Sequence, residues 1–328
     1  MNIAINGFGR IGRVVFRILK ERKMNVVAIN DPHGIESTAY LLKFDSVYGR
    51  YKGTVKIDGD DLIVDGKRIK VISEREPEKL PWKQLKIDVV IESTGVFKDR
   101  ESTMKHIEAG AKKVIITAPA KNVPMIVPGV NSKSLTKRDA VVAVSSCTTN
   151  CLTPIAKILN DHFGIKRALM TTIHAYTNDQ VIQDSDHKKL RRGRAGAQNM
   201  IPTTTGAAEA VTEVLPELKG KITGLAVRVP VICGSLVDLV AELKDPFTVE
   251  QINAVFKVAA EKEYKGIVEY SEDELVSSDI IGTKASAIFD SISTQMDGNL
   301  VKVLAWYDNE YGYSNRVVDV VEMMKKFI

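Results

Sequence analysis

The chain is poor in the features that would take it out of the ordinary globular class. Its 328 residues include only 3 cysteines, a small and odd number that excludes a disulfide framework and suits a reducing compartment. No apolar run approaches the about 20 residues of a membrane-spanning helix. The first strand pattern starts almost at Met1 with no basic-then-apolar leader, so the expected location is the cytoplasm, with no membrane partner. Internal repeats and low-complexity tracts are absent, which excludes solenoid and disordered classes. Nor is there a strong excess of one charge. A net +5 is modest, and Lys and Arg alternate with Asp and Glu, the pattern of a solvated surface, so nucleic-acid binding is at most secondary. What remains, 44% hydrophobic residues over this length, is enough for two domains with separate cores.

The first half reads as alternating strands and helices. Asn2 to Ile5 is a short apolar strand, Gly7-Phe8-Gly9-Arg10-Ile11-Gly12 follows, and Val14, Val15, Ile18 and Leu19 then recur at helical spacing. A second strand, Val26 to Asn30, ends in Asp31 about 20 residues past the last of these glycines. Such glycines let the backbone approach a pyrophosphate at the helix N-terminus, and the acid accepts hydrogen bonds from ribose hydroxyls. A glycine-rich turn without a ligand is the competing reading, and strand, helix and Asp31 together weigh against it. A helix is predicted over 35–44 and antiparallel hairpins over 54–73, with turns at Asp58-Gly59 and Asp65-Gly66. Strands are predicted at 88–92, 114–117, 125–130 and 140–144, with a helix ending near Gly110. Thr94, Gly95 and Thr117 follow strand ends, where they can be cofactor contacts or simple turn residues.

The second half changes character at Cys147. A helix to His162 and a strand over 166–173 lead to His174, then comes a long polar, basic stretch to Thr205. Loops of that length inside a domain are usually functional. The basic cluster from His187 to Arg194 lies within it, and small phosphorylated substrates are its expected partners. Strands at 222–229, 236–243, 287–293 and 300–307 and a helix at 249–262 predict a mixed or antiparallel sheet with helices on one face. The fold class is therefore α/β, a Rossmann-type doubly wound parallel sheet, joined to a second α+β catalytic domain.

Chemistry concentrates at Ser145-Ser146-Cys147-Thr148-Thr149-Asn150-Cys151. A strand feeding directly into a helix sets Cys147 at the helix N-terminus, where dipole and backbone N–H groups favour a thiolate, so a lowered thiol pKa is expected. Taken alone a cysteine is more often a small buried apolar residue, but the surrounding hydroxyls and amides line a polar substrate better than a core. Metal binding is a weaker alternative, because Cys147 and Cys151 share a helix face without a second ligand pair. His174, at a strand end facing a crevice, suits both pairing with the thiolate and accepting a proton. A nucleophilic cysteine on a dinucleotide fold implies aldehyde oxidation through a thioester. The anion-binding groups Ser146, Thr148, Thr177, Arg192, Thr205, Gly206 and Arg228 favour phosphate as acyl acceptor, although Thr203 to Gly206 also reads as a helix-capping turn.

Four stretches, Asn6 to Gly12, Ser146 to Cys151, His174 to Gln180 and Trp306 to Asn315, resemble those of the phosphorylating glyceraldehyde-3-phosphate dehydrogenases, in order along nearly the whole chain. The resemblance implies a cofactor domain over 1–146, a catalytic domain over 147–311 and a C-terminal helix, 312–328, packing back on the cofactor domain. It implies NAD as cofactor, with contacts from Gly7, Phe8, Gly9, Arg10, Ile11, Asp31, Arg75, Thr94, Thr117, Asn309 at the nicotinamide amide and Tyr313 at its ring. It implies Cys147 and His174 as catalytic residues, and no metal. By the same resemblance Thr177, Asp179 and Arg228 surround the phosphate of glyceraldehyde 3-phosphate. Ser146, Thr148, Thr205 and Gly206 surround inorganic phosphate, Arg192 lies near both, and the assembly is a homotetramer.

Two departures stand out. Ser185-Asp186 replaces a common Leu-Pro in a loop that, by resemblance, reaches a neighbouring subunit's cofactor, and Asp31 still repels a 2′-phosphate, so NAD is expected over NADP. Val231-Ile232-Cys233 replaces a common Thr-Pro-Asn, with an effect expected on packing or subunit contacts. Erythrose-4-phosphate dehydrogenase is the nearest rival, and His174 to Gln180 look less like it. An RNA-binding or redox-sensing protein is the rival from another class.

Overall fold

The computed structural model describes residues 1–328, and the chain divides into two compact units. The first comprises Met1–Ile126, Asn131–Ser146 and Ser314–Ile328. Its elements are β1 (Asn2–Asn6), α1 (Arg10–Glu21), β2 (Asn25–Asn30), α2 (Ile35–Lys43), β3 (Val55–Asp58), β4 (Asp61–Val64), β5 (Lys67–Ile72), β6 (Val89–Glu92), α3 (Arg100–Glu108), β7 (Lys113–Ile116) and β8 (Val141–Ala143). They form an eight-stranded sheet in the order β3-β4-β5-β2-β1-β6-β7-β8. From β5 to β8 every pairing is parallel. Parallel strands covered on both faces read as unbroken apolar runs, and Val89, Val90 and Ile91 are all buried. β1 lies between β2 and β6, so strand order reverses there, the switch point at which such sheets bind ligands. The predicted hairpins are β3, β4 and β5, and β5 continues the sheet through parallel pairing with β2.

No strand forms over 125–130. Met125 makes one isolated bridge to Ala143, and residues 127–130 group with the second unit. Pro124 and Pro128 flank the apolar run, and proline cannot donate to a ladder.

The second unit comprises Val127–Val130 and Cys147–Tyr313. It contains α4 (Cys147–Phe163), β9 (Ile165–Ala175), β10 (Ile201–Thr203), α5 (Ala207–Val214), β11 (Ile222–Val229), β12 (Ser235–Leu243), α6 (Val249–Glu261), β13 (Val268–Ser271), β14 (Ala287–Asp297) and β15 (Leu300–Tyr307). Its mixed sheet runs β10-β11-β9-β12-β15-β14-β13. β12 alternates buried and half-exposed residues along its whole length, the signature of a sheet packed on one face. The long polar stretch holds a short 3-10 turn at Leu190–Gly193 as well as β10. A final helix, α7 (Tyr311–Met324), carries Asp319 and Asn315, which accept from the Arg22 guanidinium at 2.7 and 2.8 Å.

The turn from β1 into α1 is the tightest local constraint in the first unit. Gly7 has φ +87, and a Cβ on Gly12 would lie 2.2 Å from the Gly7 carbonyl oxygen. Gly12→Ala is therefore expected to destabilise the protein by about 1–3 kcal/mol, the usual range for overpacking against a rigid neighbour. Urea denaturation would show a lower midpoint, and an unchanged midpoint would refute the constraint.

Candidate active site

Within the first unit, Asn6, Asn30 and Glu92 are in register across β2, β1 and β6, and Glu92 pairs with Ile116 of β7. The residues that follow each strand therefore emerge along one edge. Gly7, Phe8 and Gly9 form the first turn, Asp31 follows β2, Thr94 follows β6 and Thr117 follows β7. A Cβ on Gly7 would lie 2.6 Å from the Thr94 nitrogen, whereas one on Gly9 would meet nothing within 4 Å. The loop is thus closed towards the protein and open at Gly9. α1 has no side-chain cap at its N-terminus, so its first N–H groups, those of Arg10 and Ile11 among them, suit a diphosphate. Arg10 spends its own side chain on Asp45 at 2.6 Å. Asp31 is buried, accepting from Phe8 N–H at 2.7 Å and His33 N–H at 3.0 Å. A dinucleotide fits this edge. Arg75 lies just beyond β5 and is exposed.

Sequence reasoning missed what holds that edge together. Glu92 is buried and accepts from Asn6 Nδ2 at 2.5 Å, Thr94 N–H at 2.8 Å, the Thr94 hydroxyl, and His106 Nε2 at 3.1 Å. Trp82 Nε1 donates to His106 Nδ1 at 2.9 Å, which leaves the ring proton on Nε2, directed at Glu92. Asn30 donates to Asn6 Oδ1 at 2.6 Å and accepts from Glu74 N–H at 2.9 Å, extending the network to the turn that carries Arg75. An acid closing a Val-Val-Ile run was the available signal.

In the second unit Cys147 begins α4 and lies 3.4 Å from His174 Nε2, Sγ to nitrogen. His174 is the penultimate residue of β9 and buried. Its Nδ1 is 2.6 Å from the Ala175 carbonyl oxygen, an acceptor that draws the ring proton to Nδ1, while Arg228, a donor only, approaches the same nitrogen and draws the proton to Nε2; the thiol can donate to Nε2 in the first of these two tautomers. Arg228 reaches the same place because β11 and β9 pair in parallel with Arg228 opposite His174. Its Nη1 is 3.0 Å from Ala175 O and 2.7 Å from His174 Nδ1. Burial and then the Arg228 charge hold His174 down to about 3.

The thiol of Cys147 is shifted up, against the lowered pKa expected of it. Burial pushes the thiol up, more than the Arg228 charge, Thr148 and the backbone N–H groups of Thr148 and Cys147 pull it down. Desolvation disfavours the charged form of each partner, so thiol and imidazole rest neutral. Arg228 is itself largely buried, and its Nε–H has no protein acceptor. Such donors are uncommon inside proteins and suit an anion.

Arg192 donates to Asp179, and through Nε to the Thr203 hydroxyl at 2.9 Å and Nη2 to Thr204 O at 3.2 Å. His187 also faces Asp179 at 3.4 Å. Asp179 thereby orients the arginine. Thr205 accepts from Ala207 N–H at 3.2 Å, so the capping reading of this turn holds at α5, whose N-cap is Gly206. Thr177 makes no hydrogen bond to the Cys147–His174 pair; its N–H donates to Gln180 at 3.3 Å. Ser146 precedes Cys147 after Ser145, which has φ +55. Tyr307 went unremarked in the sequence. Its hydroxyl bridges Thr148 at 2.9 Å and Thr172 at 2.8 Å behind the His174 ring. Tyr313 is buried within electrostatic range of Cys147, its phenol pushed well up by burial and then by that neighbour. Cys233, expected to matter for packing or subunit contacts, lies buried against Asp308 and Asn309. Cys151 is turned onto Ala305 O, and no group of three His, Cys, Asp or Glu side chains is arranged for a metal ion.

Two family models match the chain. Residues 1–100 match the NAD binding domain of glyceraldehyde 3-phosphate dehydrogenase, and residues 146–309 its C-terminal domain. The glyceraldehyde-3-phosphate dehydrogenase of Geobacillus stearothermophilus is 56% identical over 324 residues, 98% of this chain and 97% of that one. Glyceraldehyde-3-phosphate dehydrogenase 1 of Bacillus subtilis is 54% identical, covering 99% and 98%. Glyceraldehyde-3-phosphate dehydrogenase 1 of Saccharomyces cerevisiae is 52% identical, covering 99% of both.

The depressed His174 makes a signed prediction. Unfolded, its imidazole takes a proton near 6.5, and folded only near 3. Its neutral form contributes stability that is complete above the unfolded value and is lost as pH falls towards the folded one. His174→Asn should therefore flatten the acid-side loss of unfolding free energy, by up to about 1.4 kcal/mol per pH unit between those values. Urea titrations at pH 7, 5 and 4 test this, and parallel slopes for both proteins would mean that the native imidazole is protonated.

Proposed function

The chain belongs to the glyceraldehyde-3-phosphate dehydrogenase family, and we propose that it catalyses NAD-dependent oxidative phosphorylation of D-glyceraldehyde 3-phosphate to 1,3-bisphosphoglycerate, a reaction of glycolysis and gluconeogenesis. The observation that carries the mechanism is the 3.4 Å approach of Cys147 Sγ to His174 Nε2, beside an arginine with a buried, unmatched N–H.

In this reading Cys147 gives its thiol proton to His174 and attacks the aldehyde carbon, and the imidazolium returns that proton to the carbonyl oxygen, so that a hemithioacetal forms and His174 is neutral again. The substrate phosphate takes the free donors of Arg228, which offsets the charge that keeps His174 weakly basic. His174 then removes the hemithioacetal hydroxyl proton. NAD, when bound at the Gly7–Gly9 turn, Asp31, Arg75, Thr94, Thr117, Asn309 and Tyr313, supplies the hydride acceptor. The thioester left on Cys147 is attacked by inorganic phosphate held by Ser146, Thr148, Thr205 and Gly206, with Arg192 oriented by Asp179 beside both anions. Cys147 leaves as thiolate and the acyl phosphate departs. Residues 1–146 with 312–328 act as the cofactor domain, and 147–311 as the catalytic domain.

We place the enzyme in the cytoplasm, consistent with three unpaired cysteines and with no helix long and apolar enough to cross a membrane. It assembles as a homotetramer. The β9–β11 face opposite the helices supports this, because Leu169 and Leu225 are 65% and 45% exposed there, side chains that a second copy would cover.

Reduced-cofactor formation from glyceraldehyde 3-phosphate and from erythrose 4-phosphate, with and without inorganic phosphate, is the deciding assay. The three-carbon aldehyde with phosphate should be fastest; equal rates without phosphate or arsenate would indicate hydrolysis to the free acid. Cys147→Ser should abolish acyl transfer, and His174→Asn should lower turnover by roughly 10²–10⁴-fold. If iodoacetamide labelled Cys151 and activity survived, the nucleophile would be misassigned. For assembly, Leu169→Glu with Leu225→Glu should reduce the mass seen by light scattering, and an unchanged tetramer would rule out that face.

A further inference from the structure

The side-chain amide of Asn309 is fixed by an arrangement that nothing in its sequence motif reveals. Asn309 is buried, and three donors converge on one of its terminal atoms. They are Gly234 N–H at 3.2 Å, the Ser235 hydroxyl at 2.9 Å and the Cys233 thiol at 3.8 Å. A backbone N–H can only donate, so the atom it meets is Oδ1 and the other is the NH2 group. Gly234 can aim its N–H this way because it has φ +88, and a Cβ there would lie 2.2 Å from the Ser277 carbonyl oxygen. Ser235 is fully buried at the start of β12. Its Oγ also accepts from Ala175 N–H at 3.1 Å, the residue whose carbonyl oxygen lies 2.6 Å from His174 Nδ1. One hydroxyl thus ties the end of the histidine strand to Asn309.

We propose that Ser235 is a positioning residue for the cofactor: by occupying Oδ1 it makes Asn309 present Nδ2 as a donor, so the site selects a carbonyl oxygen on the nicotinamide ring. This rests on the reading of Asn309 as the contact to the nicotinamide amide. Without the hydroxyl, Oδ1 keeps only the longer Gly234 N–H and the weak Cys233 thiol, so Asn309 is held less firmly, and the Ala175 N–H loses its partner. The consequence falls on the nicotinamide end of NAD and not on the adenosine end, which the first unit's edge holds.

The test is direct binding of NAD and of ADP-ribose, which lacks the nicotinamide, to the wild type, Ser235→Ala and Asn309→Ala by titration calorimetry. Ser235→Ala is expected to weaken NAD by about 10-fold, the worth of one hydrogen bond, while ADP-ribose binds as before. An unchanged NAD affinity in Ser235→Ala, with Asn309→Ala weakened, overturns the role of Ser235 alone. Unchanged NAD affinity in both variants overturns the reading of Asn309 with it. Equal weakening of NAD and ADP-ribose means a general structural effect and also overturns the proposal. Should the alanine variant fail to fold, Ser235→Cys is read the same way, with a smaller loss expected because a thiol donates weakly.

Discussion

Burying a thiol against an imidazole is the constraint on which the catalytic unit depends. Desolvation raises the cost of charging either group, and here it outweighs the opposing donors, so Cys147 is pushed up and His174 down. A helix N-terminus alone does not make a thiolate when the sulfur is largely desolvated. The arginine has opposite meanings for the two partners. Arg228 favours charge on Cys147 and opposes it on His174. An anion placed on Arg228 would therefore lift the charge that opposes protonation of the imidazole, while the desolvation that dominates would stay.

The same economy is visible in how the site is supported. Thr148 flanks the nucleophile and Thr172 sits two residues before His174, and the Tyr307 hydroxyl joins them. These three buried hydroxyls satisfy one another, as the cost of an unmade hydrogen bond requires. In the first unit Glu92 plays the corresponding part, receiving donors from the end of β1, from a loop and from α3. A buried carboxylate with a complete set of donors is a rigid element, because moving any donor exposes the acid to an apolar core.

Much of this could be read from the chain, and the reasons for the gaps are physical. The glycine turn, the strand-helix rhythm and Cys147 at a helix start are local patterns, set by backbone geometry within a few residues. Arg228 facing His174 is a matter of register between strands far apart in sequence, which no local pattern encodes. Ser235 and Cys233 meeting Asn309 is of the same kind. The failed strand over 125–130 had the right composition, but with Pro124 and Pro128 at its margins only the bridge from Met125 to Ala143 survived. The thiol pKa could not be read locally either, since burial is a property of the packed unit.

The basic stretch between His187 and Arg194 shows how structure changes the meaning of a charge run. In sequence it is the densest positive segment of the chain, and a solvated cluster of that kind attracts polyanions without specificity. Folded, Arg192 is matched by Asp179 and Arg194 by Asp184 at 2.6 Å, with His187 also turned to Asp179. Two guanidinium groups are thereby held in single orientations by carboxylates from the preceding turns, and their long-range field is largely cancelled. What an arginine keeps in such a pair is direction: a guanidinium fixed on one edge offers its remaining N–H groups to one small, well-placed acceptor. That favours a phosphate group of a small metabolite over a nucleic-acid backbone.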